Sequence, residues 1–184
     1  MITKERTSLI YLTGFMGSGK STIGPILANT IGYTYLDIDR EIERKTGKQV
    51  REIFFDEGEP YFRSIERTIL EEHATDERRV ISLGGGTIAN DANLTLIRNS
   101  GLLVYLQADL EDIFQRLKHK TDRPLLHAED GSILRDNALR QKIIDTLRLR
   151  EPYYAKADVT IETSTRRVGL TVDEVVRALS PFIQ

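Results

Sequence analysis

Residues 9–22, LIYLTGFMGSGKST, contain Gly14, four further residues, and then Gly19, Lys20 and Ser21. This is the G-x-x-x-x-G-K-[ST] spacing of a phosphate cradle. Backbone N–H groups converge on an anion only where the chain wraps closely, which glycine permits. A helix starting near Lys20 points its positive end at the same anion. Lys20 is placed to reach the outer phosphates of a nucleotide, and the Ser21 hydroxyl to meet Mg²⁺. A glycine-rich surface turn would share the spacing, but here a short apolar strand precedes it and a helical pattern follows.

Further along, Asp37 and Asp39 alternate at the end of the strand-like run YTYLDI. Period-2 geometry puts both on one face of that strand, toward the phosphate site. One carboxylate could support Mg²⁺ through its water shell, and the other could accept a proton from a substrate hydroxyl. Alternatively, Asp39 caps the next helix. Gly84, Gly85 and Gly86 end another strand and offer bare N–H donors to a ligand, or a tight turn. Three arginines stand next to marked residues: Arg63 after Phe62, Arg123 before Pro124, and Arg150 before Glu151 and Pro152. Guanidinium suits bidentate capture of carboxylate or phosphate. His73, His119 and His127 have no metal-ligand spacing and read as surface residues. Phe54, Phe55 and Phe62 read as core, with room for one or two to wall a small pocket.

These residues need a scaffold. Strand patterns cover residues 8–13, 33–38, 79–83, 102–106 and 158–162, and helical patterns cover 20–31, 39–46, 49–55, 59–73, 92–100, 110–117, 133–150 and 172–182. Thr171 reads as the last N-cap. Residues 118–132 are polar, with a proline and a glycine, and read as a mobile loop. Alternating strands and helices imply a parallel sheet covered on both faces, with ligands beyond the carboxyl ends of the strands. The segments there are residues 14–21, Asp37 and Asp39, residues 84–86 and the stretch after Leu106.

Composition narrows the class. The chain has 184 residues, 40% hydrophobic and 29% charged, with a formal net charge of −2 and no cysteine. That is enough for one domain with a full core. It argues against bulk attraction to nucleic acid, and it leaves no disulfide, thiolate nucleophile or cysteine-bound metal. The opening MITKERTSLI has no long apolar run, and no segment approaches the roughly 18 apolar residues of a membrane span. A cytoplasmic monomer, with no nucleic acid or membrane partner, is expected.

Taken together, the motifs resemble those of the shikimate kinase family across nearly the whole chain. The matching pieces are GFMGSGKST, LDID at 36–39, the IF..EGE..FR.IE spacing at 53–66, SLGGG at 82–86, RPLL at 123–126 and REPYY at 150–154. The resemblance implies a P-loop three-layer α/β/α fold with a five-stranded parallel sheet. It implies one kinase domain spanning 1–184, with a substrate-binding helical segment at about 39–66 and a mobile lid at about 118–132. It implies ATP as donor, Mg²⁺ as cofactor and the 3-hydroxyl of shikimate as acceptor. Position by position, Gly17, Ser18, Gly19, Lys20, Ser21 and Thr22 would hold ATP. Ser21 and Asp37 would serve Mg²⁺. Asp39, Arg63, Gly85 and Arg150 would bind shikimate, with Asp39 accepting the proton and the two arginines gripping the carboxylate. Lys20 and the lid residue Arg123 would act on the phosphates and Arg116 and Arg167 on the adenine side, while Glu66 would orient Arg63 from behind or contact the substrate. Rival readings are a kinase for another hydroxylated acid such as gluconate, a nucleoside monophosphate kinase, and a shikimate-binding regulator without turnover.

Overall fold

A computed structural model describes residues 7–120, 126–127, 132–164 and 167–183. Among them, five strands make one parallel sheet: β1 (Leu9–Thr13), β2 (Thr34–Asp37), β3 (Arg79–Ser82), β4 (Leu102–Gln107) and β5 (Val159–Glu162). Their order is β2-β3-β1-β4-β5, so the strand that feeds the phosphate loop lies in the middle. The helices are α1 (Lys20–Thr30), α2 (Ile38–Thr46), α3 (Val50–Asp56), α4 (Gly58–Glu72), α5 (Asp91–Ser100), α6 (Leu110–Leu117), α7 (Asp136–Tyr154) and α8 (Val168–Leu179). No helix among the described residues is long and apolar enough to cross a membrane.

Every residue of β1 is buried, as a central strand covered on both faces requires. Alternate residues serve opposite faces. Leu9 and Tyr11 join Ile81, Leu83, Leu103 and Tyr105 in a core with residues of α2, α3, α4 and α5 and with Tyr154. Ile10 and Leu12 join Val80, Val104 and Ile161 in a second core under α1 and α8. A third cluster sets Phe15, just after Gly14, against Phe114 and Leu117 of α6 and Leu139 and Ile143 of α7. The phosphate loop is thereby tied to both helices that follow β4.

Several boundaries differ from the sequence reading. β2 stops at Asp37, and Ile38 and Asp39 already belong to α2. The two aspartates therefore do not share a strand face. Asp37, not Asp39, is the cap, and its side chain accepts from the Arg40 N–H at 3.2 Å. α8 begins before Thr171, whose hydroxyl turns back to the Arg167 carbonyl at 3.4 Å. α7 runs through Pro152 to Tyr154. Phe55 is 90% exposed rather than core, while Phe62 is 3% exposed. His73 is half-buried, and its Nδ1 lies 2.6 Å from Asp76.

Candidate active site

A cleft of about 590 Å³ opens beyond the carboxyl ends of the strands, lined by residues from the phosphate loop, both aspartates, the glycine run and α6. Its floor is the loop between β1 and α1. Gly14, Gly17 and Gly19 have φ of 148°, 83° and 103°, which only glycine adopts without strain. A Cβ at Gly14 would stand 2.5 Å from the Leu106 carbonyl oxygen and 2.6 Å from Ser18 Oγ. Lys20 Nζ donates to the Gly14 carbonyl at 2.7 Å and the Phe15 carbonyl at 3.2 Å, which folds the ammonium back over the loop. The buried Ser18 Oγ has no hydrogen-bond partner among the described residues. A close-wrapped backbone with a lysine over it suits a nucleotide's phosphates.

Ser21 and Asp37 line the same cleft and present oxygen atoms. No group of three or more His, Cys, Asp or Glu side chains that could hold a metal occurs among the described residues. A cation here would take one or two protein oxygens, which suits Mg²⁺ bound chiefly by phosphate and water. Tyr35 donates to Asp37 Oδ2 at 3.2 Å. Burial, followed by the Asp37 charge, pushes the Tyr35 phenol up to about 12.

Charge gathers around the glycine run after β3, of which Gly84 and Gly85 line the cleft and Gly86 borders a neighbouring pocket with Arg63. A Cβ at Gly84 would meet Glu66 Oε1 at 3.0 Å, Thr87 Oγ1 at 3.1 Å and Asp39 Oδ1 at 3.2 Å. A Cβ at Gly86 would meet Arg63 Nη2 at 2.7 Å and Arg150 Nη2 at 3.2 Å, so those two nitrogens lie within about 6 Å of each other. Arg63 from α4 and Arg150 from α7 thus converge beside the loop that also borders Asp39. Arg63 is steered from behind. Its Nη1 donates to Glu66 Oε2 at 2.8 Å, and its Nε and Nη2 reach Glu59 Oε1 at 3.1 and 3.0 Å. Glu66 is 0% exposed, and Thr87 Oγ1 donates to its Oε1 at 2.5 Å. Burial raises the Glu66 carboxyl above its ordinary range, against the opposing pull of Arg63 and Thr87. Arg150 lies over Phe15, its Cζ 5.7 Å from the ring centroid. Phe54 packs on Phe62 with centroids 4.6 Å apart.

The chain matches the family model described as shikimate kinase over residues 16–180. A shikimate kinase of Prosthecochloris aestuarii is 47% identical over 180 residues, covering 98% of this chain and 91% of the relative. The chain belongs to the shikimate kinase family. A shikimate kinase of Chlorobaculum tepidum is 48% identical over 177 residues, 96% of this chain and 93% of the relative. Among solved structures, the shikimate kinase from Acinetobacter baumannii in complex with shikimate aligns with a TM-score of 0.85 at 37% identity, covering 98% of this chain and 97% of that one. The sheet order and flanking helices described above are those of shikimate kinase structures.

Within this shikimate kinase fold, Gly17, Ser18, Gly19, Lys20, Ser21, Thr22, Asp37, Asp39, Gly85 and Arg116 line the cleft. Arg116 Nη1 also holds the Gly17 carbonyl at 2.7 Å. Arg63 and Arg150 meet at Gly86, the next residue along. Arg167 is exposed at the N-cap of α8 and does not border the cleft, which Val168 and Thr171 reach instead. Arg123 and most of the expected lid lie outside the described residues. Sequence reasoning overlooked Thr163, Val168 and Lys120 as cleft residues. It also missed Thr87, Asn93 and Tyr154, which brace the glycine run. Thr87 directly follows the three glycines and Tyr154 closes the REPYY run, so adjacency to motif residues was the available signal.

Proposed function

We propose that the chain transfers the γ-phosphoryl group of ATP to the 3-hydroxyl of shikimate, giving shikimate 3-phosphate and ADP, a step of aromatic amino acid biosynthesis. The observation that carries this reading is the convergence of Arg63 and Arg150 at Gly86, next to Gly85, which lines the same cleft as the phosphate loop. Shikimate is a small anion with one carboxylate and several hydroxyls, and two guanidinium groups plus a carboxylate complement it.

In this mechanism Gly17, Ser18, Gly19 and Thr22 hold the triphosphate, and Lys20 leaves the Gly14 and Phe15 carbonyls to meet its outer oxygens. Ser21 would hold Mg²⁺ directly and Asp37 through water; the ion supplies neutralisation of charge on the phosphates. Arg63 and Arg150 grip the carboxylate, the Gly85 backbone seats the ring, and Asp39 takes the hydroxyl proton as the oxygen attacks. Phosphoryl transfer needs alignment and charge stabilisation more than covalent help. Arg116 borders the adenine end. The whole chain works as one monomeric, cytoplasmic kinase domain, with residues 39–66 framing the acceptor. The lid expected at about 118–132 would bring Arg123, which lies outside the described residues, to the phosphates and exclude water.

A coupled ADP-release assay with Mg·ATP tests this against shikimate, gluconate and AMP. Shikimate alone should give rapid ADP release. Asp39→Asn should lower kcat by about 10²- to 10⁴-fold, the range typical of a lost general base. ADP release with gluconate or AMP but not shikimate would overturn the assignment.

A further inference from the structure

The glycine run after β3 contains a tight turn, closed by the Thr87 N–H on the Gly84 carbonyl at 3.1 Å. The Gly85–Gly86 peptide is its central unit. In such a turn the central peptide can face either way, and the two orientations are the type I and type II forms. Type II requires a positive φ at the third residue, which glycine accepts freely. Gly86 is not among the positive-φ glycines, so the turn stands in the other form. With glycine at both central positions, the backbone itself sets little preference between them.

Both flanks of this peptide are fixed: before it, the Leu83 N–H donates to the Leu12 carbonyl at 2.9 Å. Thr87 is pinned through its hydroxyl to Glu66 and through its carbonyl, which accepts from Asn93 Nδ2 at 2.9 Å. What remains to be decided is the orientation of the central peptide; Arg63 and Arg150 lie against its glycines, and one side chain hydrogen-bonds its carbonyl. Tyr154 donates its hydroxyl to the Gly85 carbonyl at 2.9 Å. Its ring is 1% exposed and stacks on Tyr105 of β4, with centroids 4.6 Å apart and planes 8° from parallel. Burial raises the Tyr154 phenol, with Arg150 opposing, and the group remains a protonated donor through neutral pH. A trans peptide aims its C=O and N–H in opposite directions. The Gly86 N–H therefore points away from Tyr154, and it has no partner among the described residues.

We propose that Tyr154 is a positioning residue whose hydroxyl latches the Gly85–Gly86 peptide against a flip, keeping the Gly86 N–H turned toward the acceptor. Tyr154 stands one helical turn beyond Arg150 on α7, so the helix that supplies a carboxylate-gripping arginine also sets the backbone donor beside it. This inference rests on the shikimate-phosphorylating reading for its kinetic arm only.

Tyr154→Phe keeps the stack on Tyr105 and removes the latch. The KM for shikimate should rise about tenfold, as expected for a lost buried hydrogen bond, while the KM for ATP stays within about twofold. In ¹⁵N relaxation dispersion, the Gly86 amide should be free of microsecond–millisecond exchange in the parent chain and broadened by it in the variant. An unchanged shikimate KM, or equal rises in both KM values without exchange at Gly86, overturns the latch. Exchange at Gly86 already present in the parent chain does so too, whether or not the variant folds. If the parent chain does not phosphorylate shikimate, the functional reading fails, while the dispersion result still decides the latch.

Discussion

Gly86→Ala isolates what the two converging arginines do. The backbone there has no positive φ, so alanine fits without dihedral strain. The added methyl would stand 2.7 Å from Arg63 Nη2, 3.2 Å from Arg150 Nη2 and 3.3 Å from Arg63 Cζ, where ordinary contact begins at 3.4 Å. Arg63 must retreat by about 0.7 Å and Arg150 by a few tenths of an ångström, both at the tips of flexible side chains. The fold should tolerate this: the melting temperature should stay within about 3 °C, because no buried side chain is lost. Binding should not tolerate it, because charge-assisted hydrogen bonds of about 1.5–3 kcal/mol depend on guanidinium placement. At about 1.4 kcal/mol per tenfold, that predicts a rise in the KM for shikimate of roughly 10- to 100-fold. Initial rates of ADP release, with shikimate varied at saturating Mg·ATP, would read it, with thermal melts alongside. A stable variant with parental shikimate KM would refute the claim that Arg63 and Arg150 grip the acceptor at this point.

Other expectations follow from separate parts of the molecule. Gly24→Ala on α1 sets a methyl into the ring of half-buried Tyr35. Overpacking of about 1–3 kcal/mol should outweigh the helix-propensity gain of about 1 kcal/mol, and urea unfolding should show a net loss of stability. Glu111 accepts from Arg140 at 2.6 and 3.2 Å across α6 and α7, and these bonds hold its carboxyl down to about 2 from an ordinary 4.5. A depressed carboxyl stabilises the fold above its unfolded pKa, and that stability is lost as pH falls through the folded value. The contribution should therefore disappear between about pH 4.5 and about pH 2. Glu111→Gln should lower the melting temperature slightly at pH 7 and flatten it against pH in that window by the same small amount, because the pair is largely solvated. A variant that kept the full acid-side slope would remove Glu111 as its source.

The phosphate loop was the most legible part of the chain, because its spacing is dictated by a backbone that must curl around an anion. All five strands fell within a residue or two of their expected limits; continuous apolar runs mark the buried β1 and β4, while β2 and β5 are shorter and more exposed. What escaped was set by tertiary contact. Asp37 and Asp39 look like strand partners in sequence, yet the chain turns helical at Ile38 and separates them. Phe55 has the composition of a core residue and lies 90% exposed, because α3 turns Val50 and Ile53 inward instead. The helical spacing predicts an end at Arg150, but α7 continues through Pro152 to Tyr154, whose hydroxyl donates to the Gly85 carbonyl. Glu66 was placed behind Arg63 by motif alone. That its other oxygen is held by Thr87 depends on two segments 21 residues apart meeting in the core.

The order of the sheet has a mechanical corollary. Asp39 and Arg63 belong to the chain that follows β2, on one flank of β1, whereas Arg150 comes from α7, in the connection between β4 and β5 on the other. The pair that meets at Gly86 therefore draws one guanidinium from each flank of the sheet, and a shift of one flank against the other would change the spacing of the two.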